Sequence, residues 1–386
     1  MDVDNPIYLD YNGTTPVDPR VTEAMLPYLR EHFGNPSSSH AYGAPAHRAV
    51  DVAREQVAAL LGCSPEEMVF TGGGSESDNL AIKGVAFAMR GRGDHIITQQ
   101  TEHPAVLETC RYLATRFGFR VAYLPVDATG RVDPQAVAAA ITPDTVLVSI
   151  MHANNETGTI QPIREIAEIA HARGVLCHTD AAQSVGKIAT RVDDLGVDLL
   201  TVAGHKLYAP KGIGALYVRR GTTLDSLVHG AGQEGGLRAG TENVPYIVGL
   251  GAACALAAEK LDKDMPRIRG LRDRLAQRLE AAGWALNGHP VHRLPNTLNV
   301  SYTGLDGEEI LAHAPGIAAS TGAACHAGRT DPSEVLLAMG LGRERALGAV
   351  RLSLGRWTTE EQVDRAAEEL NRAVATLSGG VRAPHV

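Results

Sequence analysis

At 386 residues, 44% hydrophobic and 21% charged, the chain has the composition of a soluble globular protein and the length for two domains. Its basic and acidic residues, 36 and 44, leave a net charge of −8, which argues against a sequence-independent nucleic-acid binder. Five scattered cysteines (Cys63, Cys110, Cys177, Cys254, Cys325), never spaced C-x-x-C, exclude the usual zinc or iron–sulfur spacing and fit a reducing cytoplasm.

The first residues carry neither a positive n-region nor an apolar h-region, so no signal peptide is expected. From about residue 67 to 220, short apolar runs alternate with helical patterns. The runs are Met68–Thr71, His95–Thr98, Val121–Leu124, Thr145–Ile150, Val175–Thr179, Leu199–Ala203 and Ala215–Val218. Strand-then-helix repetition with β-branched runs predicts an α/β fold, a mostly parallel seven-stranded sheet flanked by helices. Val244 to Glu280 reads as mostly helical, with a break expected where Asp262, Lys263 and Asp264 precede Pro266. The apolar stretch Ile247–Ala258 contains Gly249 and Gly251 and reads as a packed helix, not a membrane span. Shorter pieces follow, from Thr297–Tyr302 to Glu360–Leu377, and predict a smaller α+β domain with a frayed tail from Ser378. The expected division is a large α/β domain over 15–259 and a small one formed by 1–14 with 260–386.

Ligands of open parallel sheets bind at the carboxyl ends of the strands. Five predicted strand ends carry groups that propensity alone does not require. The first is Gly72-Gly73-Gly74-Ser75, opening a helix. Bare N–H groups and a hydroxyl there make a phosphate cup; the alternative is a flexible turn with Ser75 as N-cap. His103 follows the second run and is a candidate to stack on a ring or carry protons, or else a plain loop histidine. Asn155 follows the run Thr145–Ile150, and Asp180 and Gln183 follow Val175–Thr179. A carboxylate at Asp180, past a strand buried on both faces, wants a cation, which a protonated pyridine nitrogen would supply. Asn155 and Gln183 are plausible donors to a ring hydroxyl. Of six lysines, Lys206 alone stands directly after a buried-type strand and a Gly-His pair. Desolvation there would lower its pKa and let it trap an aldehyde; the alternative is a solvent-facing strand-end lysine. The G-x-G-x-x-G match at Gly230–Gly235 is followed by more glycine instead of an apolar helix, which argues against a dinucleotide site. His289 and His292, split by Pro290, have no acidic or cysteine partner nearby and are read as no metal site.

Taken together, these segments resemble the cysteine desulfurase and selenocysteine lyase family of fold-type I, class V pyridoxal phosphate enzymes. The resemblance runs from Tyr8-Leu9-Asp10-Tyr11-Asn12 to Arg351-Leu352-Ser353-Leu354-Gly355-Arg356. It is carried by Thr179-Asp180-Ala181-Ala182-Gln183, Gly204-His205-Lys206, Asn154-Asn155-Glu156-Thr157-Gly158 and Arg238-Ala239-Gly240-Thr241. It implies pyridoxal 5′-phosphate bound covalently to Lys206, with Asp180 on the pyridine nitrogen, His103 stacked on the ring, and Asn155 and Gln183 near its hydroxyl. It further implies that Gly74, Ser75 and His205 hold the phosphate, joined by Thr241 from the partner subunit of a homodimer. Arg351, with Asn155, would bind the substrate carboxylate. Cys325 stands at the position of the family's nucleophile, and Lys206, Cys325 and His103 form the expected catalytic set.

Two departures mark this chain. The loop usually written Ser-Gly-Ser-Ala-Cys-Thr-Ser reads Thr321-Gly322-Ala323-Ala324-Cys325-His326-Ala327, and the usual serine before Gly-His-Lys is Ala203. Both are similar to animal selenocysteine lyases. The leading expectation is a desulfurase that converts L-cysteine to L-alanine and passes a persulfide from Cys325 to a sulfur-acceptor or scaffold protein. The alternative is a lyase releasing selenium from L-selenocysteine. More distant readings are an aminotransferase or aldolase of the same fold, or a non-catalytic scaffold.

Overall fold

The protein is described from a computed structural model, which covers residues 5–322, 325–326 and 329–380; of residues 325, 326, 329, 330 and 380 only the backbone is described. The chain opens on β1 (Ile7–Tyr8). The central sheet contains β2 (Met68–Thr71), β3 (His95–Gln99), β4 (Arg120–Leu124), β5 (Thr145–Ser149), β6 (Leu176–Asp180), β7 (Leu199–Ala203) and β8 (Gly214–Val218). These lie in the order β2-β8-β7-β6-β5-β3-β4. β8 is antiparallel to both neighbours and every other pair is parallel. All seven predicted runs form strands, their ends shifted by at most one residue.

Successive side chains of a strand point to opposite faces, and here both faces are apolar. Phe70, Ile97, Val148, Leu200 and Tyr217 enter one buried cluster, while their neighbours Val69, Ile96, Leu147, Leu199 and Leu216 enter another on the far side. The helix Gly43–Leu61 and the first half of Val244–Glu280 cover the first face; Gly74–Ala88 and Pro104–Phe117 cover the second. A sheet sandwiched in this way exposes side chains to a ligand only at its strand ends.

The helix Val244–Glu280 is unbroken through Pro266, against the break expected there. A proline costs its helix one N–H bond and crowds the carbonyl four residues back. Burial on both sides outweighs that local cost: Ile247, Leu250, Ala253 and Cys254 lie in one core, and Ile268, Leu271, Leu275 and Leu279 in another. By length and composition this helix is apolar enough to cross a membrane, but its apolar stripe is consumed by these two cores.

The second core gathers both ends of the chain. Ile7 and Leu9 join Trp284, Leu298, Val350, Leu352 and the helix Glu360–Gly380. That helix runs on through Ser378–Gly380, where fraying was expected. The strands here are β9 (Ala285–Asn287), β10 (Thr297–Ser301), β11 (Ile317–Ala318), β12 (Cys325–His326), β13 (Arg329–Thr330) and β14 (Ala349–Ser353). β9, β10 and β14 form an antiparallel sheet, β1 pairs with β11, and β12 pairs with β13. The pairing of β1 returns residues 9–13 to the carboxyl ends of the central strands.

Candidate active site

Gly74, Ser75, His103, Asn155, Asp180, Gln183, His205, Lys206 and Arg351 all line one cavity of about 280 Å³ at those strand ends. The backbone explains their convergence. Gly73 has φ +149°, a conformation essentially reserved for glycine, and it starts the helix at Gly74 with its first N–H groups at the cavity. A Cβ on Gly74 would lie 3.1 Å from Cβ of Ala203, so the two small residues form a tight floor. Pro104 occupies the first turn of its helix, and His103 caps that helix by accepting the Ala105 N–H on Nδ1 at 3.1 Å. Its Nε2 is therefore the nitrogen that carries the proton when the ring is neutral. The ring is open to the cavity on one side, yet its burial on the other lowers its pKa, against the opposing pull of Asp180.

Lys206 ends the short turn after β7 and donates to the backbone oxygens of Asn12 at 2.6 Å and Gly13 at 2.7 Å. Burial, followed by the charge of Arg351, lowers its pKa to about 8. Asp180 closes β6; it is buried, its Oδ1 accepts the Ala182 N–H at 2.8 Å, and desolvation raises its pKa. His205 contacts the Thr14 hydroxyl at 3.1 Å, and burial with the nearby lysine charges lowers its pKa to about 4. It meets the cavity as a neutral ring.

The opposite wall comes from distant parts of the chain. The Asn154 side chain accepts the N–H groups of Glu156 and Thr157, both at 2.9 Å, and fixes a turn that presents Asn155 to the cavity. Arg351, on β14, donates to Asp10 at 2.7 Å and to the Asn155 carbonyl at 3.1 Å, while its Nε is buried without a partner among the described residues. Asn12 ties this wall together. It contacts Asn155, Asn296 and Thr297 with its side chain, and its carbonyl accepts from both Lys206 and Gln183.

Two expected residues stand apart. Thr241 is exposed and does not line this cavity within the single chain. Cys325 lies in β12 by its backbone, but its side chain falls outside the described residues. The other four cysteines are free, and burial pushes each of their thiols upward, those of Cys63, Cys110 and Cys254 to about 12. None of these four is set up as a thiolate.

Sequence reasoning missed Asn12, Asp78 and Lys187. Asp78 lines the cavity from inside the helix Gly74–Ala88, fully buried, with its pKa raised first by desolvation and then by Asp180. A carboxylate on the inward face of an apolar helix was the available signal. Lys187 is buried, donates to Gln183 Oε1 at 2.9 Å, and is lowered to about 7 by burial and the charges of Lys206 and Arg351. Because Lys187 takes the oxygen of Gln183, the amide NH2 is the side that faces Asn12 and the cavity.

The chain matches the family described as aminotransferase class-V over residues 7–366. It is similar to a cysteine desulfurase IscS of Dictyoglomus turgidum, 48% identical across 96% of this chain and 95% of that protein. Another of that name, from Methanosarcina thermophila, is 50% identical across 96% and 92%. Among solved structures, a NifS-like protein superposes with a TM-score of 0.91 at 40% identity, covering 96% of this chain and 100% of that one. The chain belongs to the class-V aminotransferase family and, within it, to the cysteine desulfurases.

Proposed function

We propose that this protein is a pyridoxal phosphate-dependent cysteine desulfurase that forms L-alanine from L-cysteine. The observation that carries the reading is the meeting of Lys206, Asp180 and the Gly74 helix start in one cavity, in a chain whose relatives bear that name. The residues fit the cofactor. Asp180 is a buried carboxylate with no salt-bridge partner among the described residues, a place that suits a pyridinium. The N–H groups at Gly74, the Ser75 hydroxyl and His205 suit a phosphate, and Lys206 has the lowered amine pKa that capture of an aldehyde needs.

When bound, pyridoxal phosphate serves as an electron sink for carbanions at the substrate α-carbon. In this reading Lys206 would hold the cofactor, and its Nζ would serve to move the substrate α-proton. Asp180 keeps the pyridine nitrogen protonated. His103, with Nδ1 engaged in capping its helix, would stack on the ring. Gln183 and Asn155 serve the ring hydroxyl. Arg351, aided by Asn155, holds the substrate carboxylate, exchanging its contact with Asp10 for the ligand. Cys325, as its thiolate, would attack the substrate sulfur; the substrate Cβ–S bond breaks, its electron pair stays on the alanine fragment, which takes up a proton, and Cys325 keeps the sulfur as a persulfide for an acceptor protein. A partner subunit supplies Thr241 in a homodimer. We assign the cofactor site to the unit 15–259, and place the protein in the reducing cytoplasm on the pattern of its cysteines.

The name of the relatives favours sulfur over selenium, while Ala203 and Ala324-Cys325-His326 are the residues that keep the selenocysteine reading in view. One comparison decides. Alanine is expected from L-cysteine, with absorbance near ~420 nm in the resting protein. Turnover of L-selenocysteine with none of L-cysteine would replace this reading by the lyase.

A further inference from the structure

The turn that presents Asn155 to the cofactor cavity sends the next side chain the other way. Glu156 lines a neighbouring cavity of about 230 Å³ together with Gly322, Pro332 and Glu334, and Asn155 borders both cavities. Its side chain is buried, and its Oε2 accepts the hydroxyl of Ser333. The same oxygen lies against the backbone at Gly322, where an added Cβ would come within 2.6 Å of it. Gly322 has φ +74°, so that close approach and that conformation both call for glycine. One carboxyl group therefore touches residues 322 and 333, which bracket Cys325.

The neighbouring contacts reinforce both ends. Gly322 N–H donates to the Ser320 hydroxyl at 3.1 Å, and Ser320 exchanges backbone bonds with Arg351, at 2.6 and 3.3 Å. At the other end Ser333 caps the helix Glu334–Ala338 by accepting the Leu336 N–H. Glu156 has no ion-pair partner among the described residues, and burial holds its pKa up to about 7. A buried carboxyl group needs hydrogen-bond partners, and the Ser333 hydroxyl supplies one to Glu156.

We propose that Glu156 is a positioning residue that pins Gly322 and Ser333, and thereby sets the reach of Cys325 toward a substrate held by Asn155 and Arg351. This rests on the reading of Cys325 as the nucleophile. Asn155 and Glu156 are adjacent in one fixed turn, so the cofactor wall and the base of the Cys325 segment share a rigid element.

The test uses the full-length, cofactor-loaded protein and four variants: Glu156→Gln, Glu156→Ala, Ser333→Ala and Cys325→Ser. Backbone hydrogen exchange over 322–333 is followed together with kcat, KM for cysteine and the cofactor absorbance. Glu156→Ala should raise exchange there and lower kcat by about 10-fold, with KM and absorbance nearly unchanged. Ser333→Ala, which removes the donor with little loss of volume, should act in the same direction. Glu156→Gln keeps an acceptor oxygen and should stay within about threefold of the parent. Unchanged exchange and kcat in both Glu156→Ala and Ser333→Ala would overturn the pin while Cys325→Ser remains inactive. Parental alanine formation by Cys325→Ser would instead fail the nucleophile reading, and the positioning role with it.

Discussion

The floor of the cavity and the wall facing it are built on different principles. Asp180, Lys206 and Gly74 stand at or just beyond the ends of strands or at a helix start, backed by a sheet buried on both faces. Asn12, Asn155 and Arg351 come from segments more than a hundred residues apart and are joined by side-chain hydrogen bonds. The first arrangement fixes groups through a cooperative core, the second through a polar network that must be satisfied at every member. The expected division of labour follows: the floor carries most of the hold on the cofactor, and the wall governs substrate and thiol, with Asn155 serving both.

Substitutions in the floor should have the largest effects. Lys206→Ala should abolish alanine formation and the ~420 nm absorbance together. Asp180→Asn removes a buried charge partner worth about 3–5 kcal/mol, so kcat should fall about 10²- to 10⁴-fold. Parental kcat in Asp180→Asn would break the assignment of the floor. In the wall, Arg351→Lys keeps the charge and loses the fork. KM for cysteine should rise about 10-fold while kcat changes less, because the lost interaction is made in both ground and transition states. A fall in kcat alone would erase the distinction between floor and wall.

The same contrast explains what could be read in advance. The floor was legible because strand ends are local: an apolar run stops, and the residue after it is where the sheet opens. Register singled out Asp180 and Lys206, and the family resemblance supplied their roles. The wall was less legible because Asn12 owes its place to the pairing of β1 with β11 and to contacts with Thr297 and Asn296. No local pattern announces a carbonyl that will accept from a lysine 194 residues away. The unbroken helix across Pro266 is a similar case, where tertiary burial overrode a local rule. Glu156 was visible only as part of a family segment; its second neighbour, Ser333, is set by tertiary structure.

A gain of function should sharpen the floor further. Ala203 lines the cavity beside Gly74, where a serine hydroxyl would add one charge-assisted bond to a phosphate. Such a bond is worth about 1.5 kcal/mol, so Ala203→Ser should slow cofactor loss in dialysis about 10-fold and leave KM for cysteine unchanged. Unaltered retention would mean the phosphate does not rest on that side of the floor.

The finest test sits where floor and wall meet, in the charge of Arg351 on Lys206. A lysine traps an aldehyde as the free amine, and burial with Arg351 has brought that pKa from 10.5 to about 8. Capture of pyridoxal phosphate by the apoprotein should therefore quicken as pH rises through about 8 and level off above it. Removing Arg351 takes away a positive charge and leaves Asp10, which pulls the other way, so Arg351→Ala should move the midpoint upward. The sign carries over to stability. Below about 8 the amine is protonated in both folded and unfolded chains, and between about 8 and 10.5 the unfolded chain holds the extra proton. Apoprotein stability relative to Lys206→Met should thus rise across that window, as followed by urea unfolding at several pH values. A flat difference would show that Lys206 is hydrated like a surface lysine, and the floor would lose the property that fits it for the cofactor.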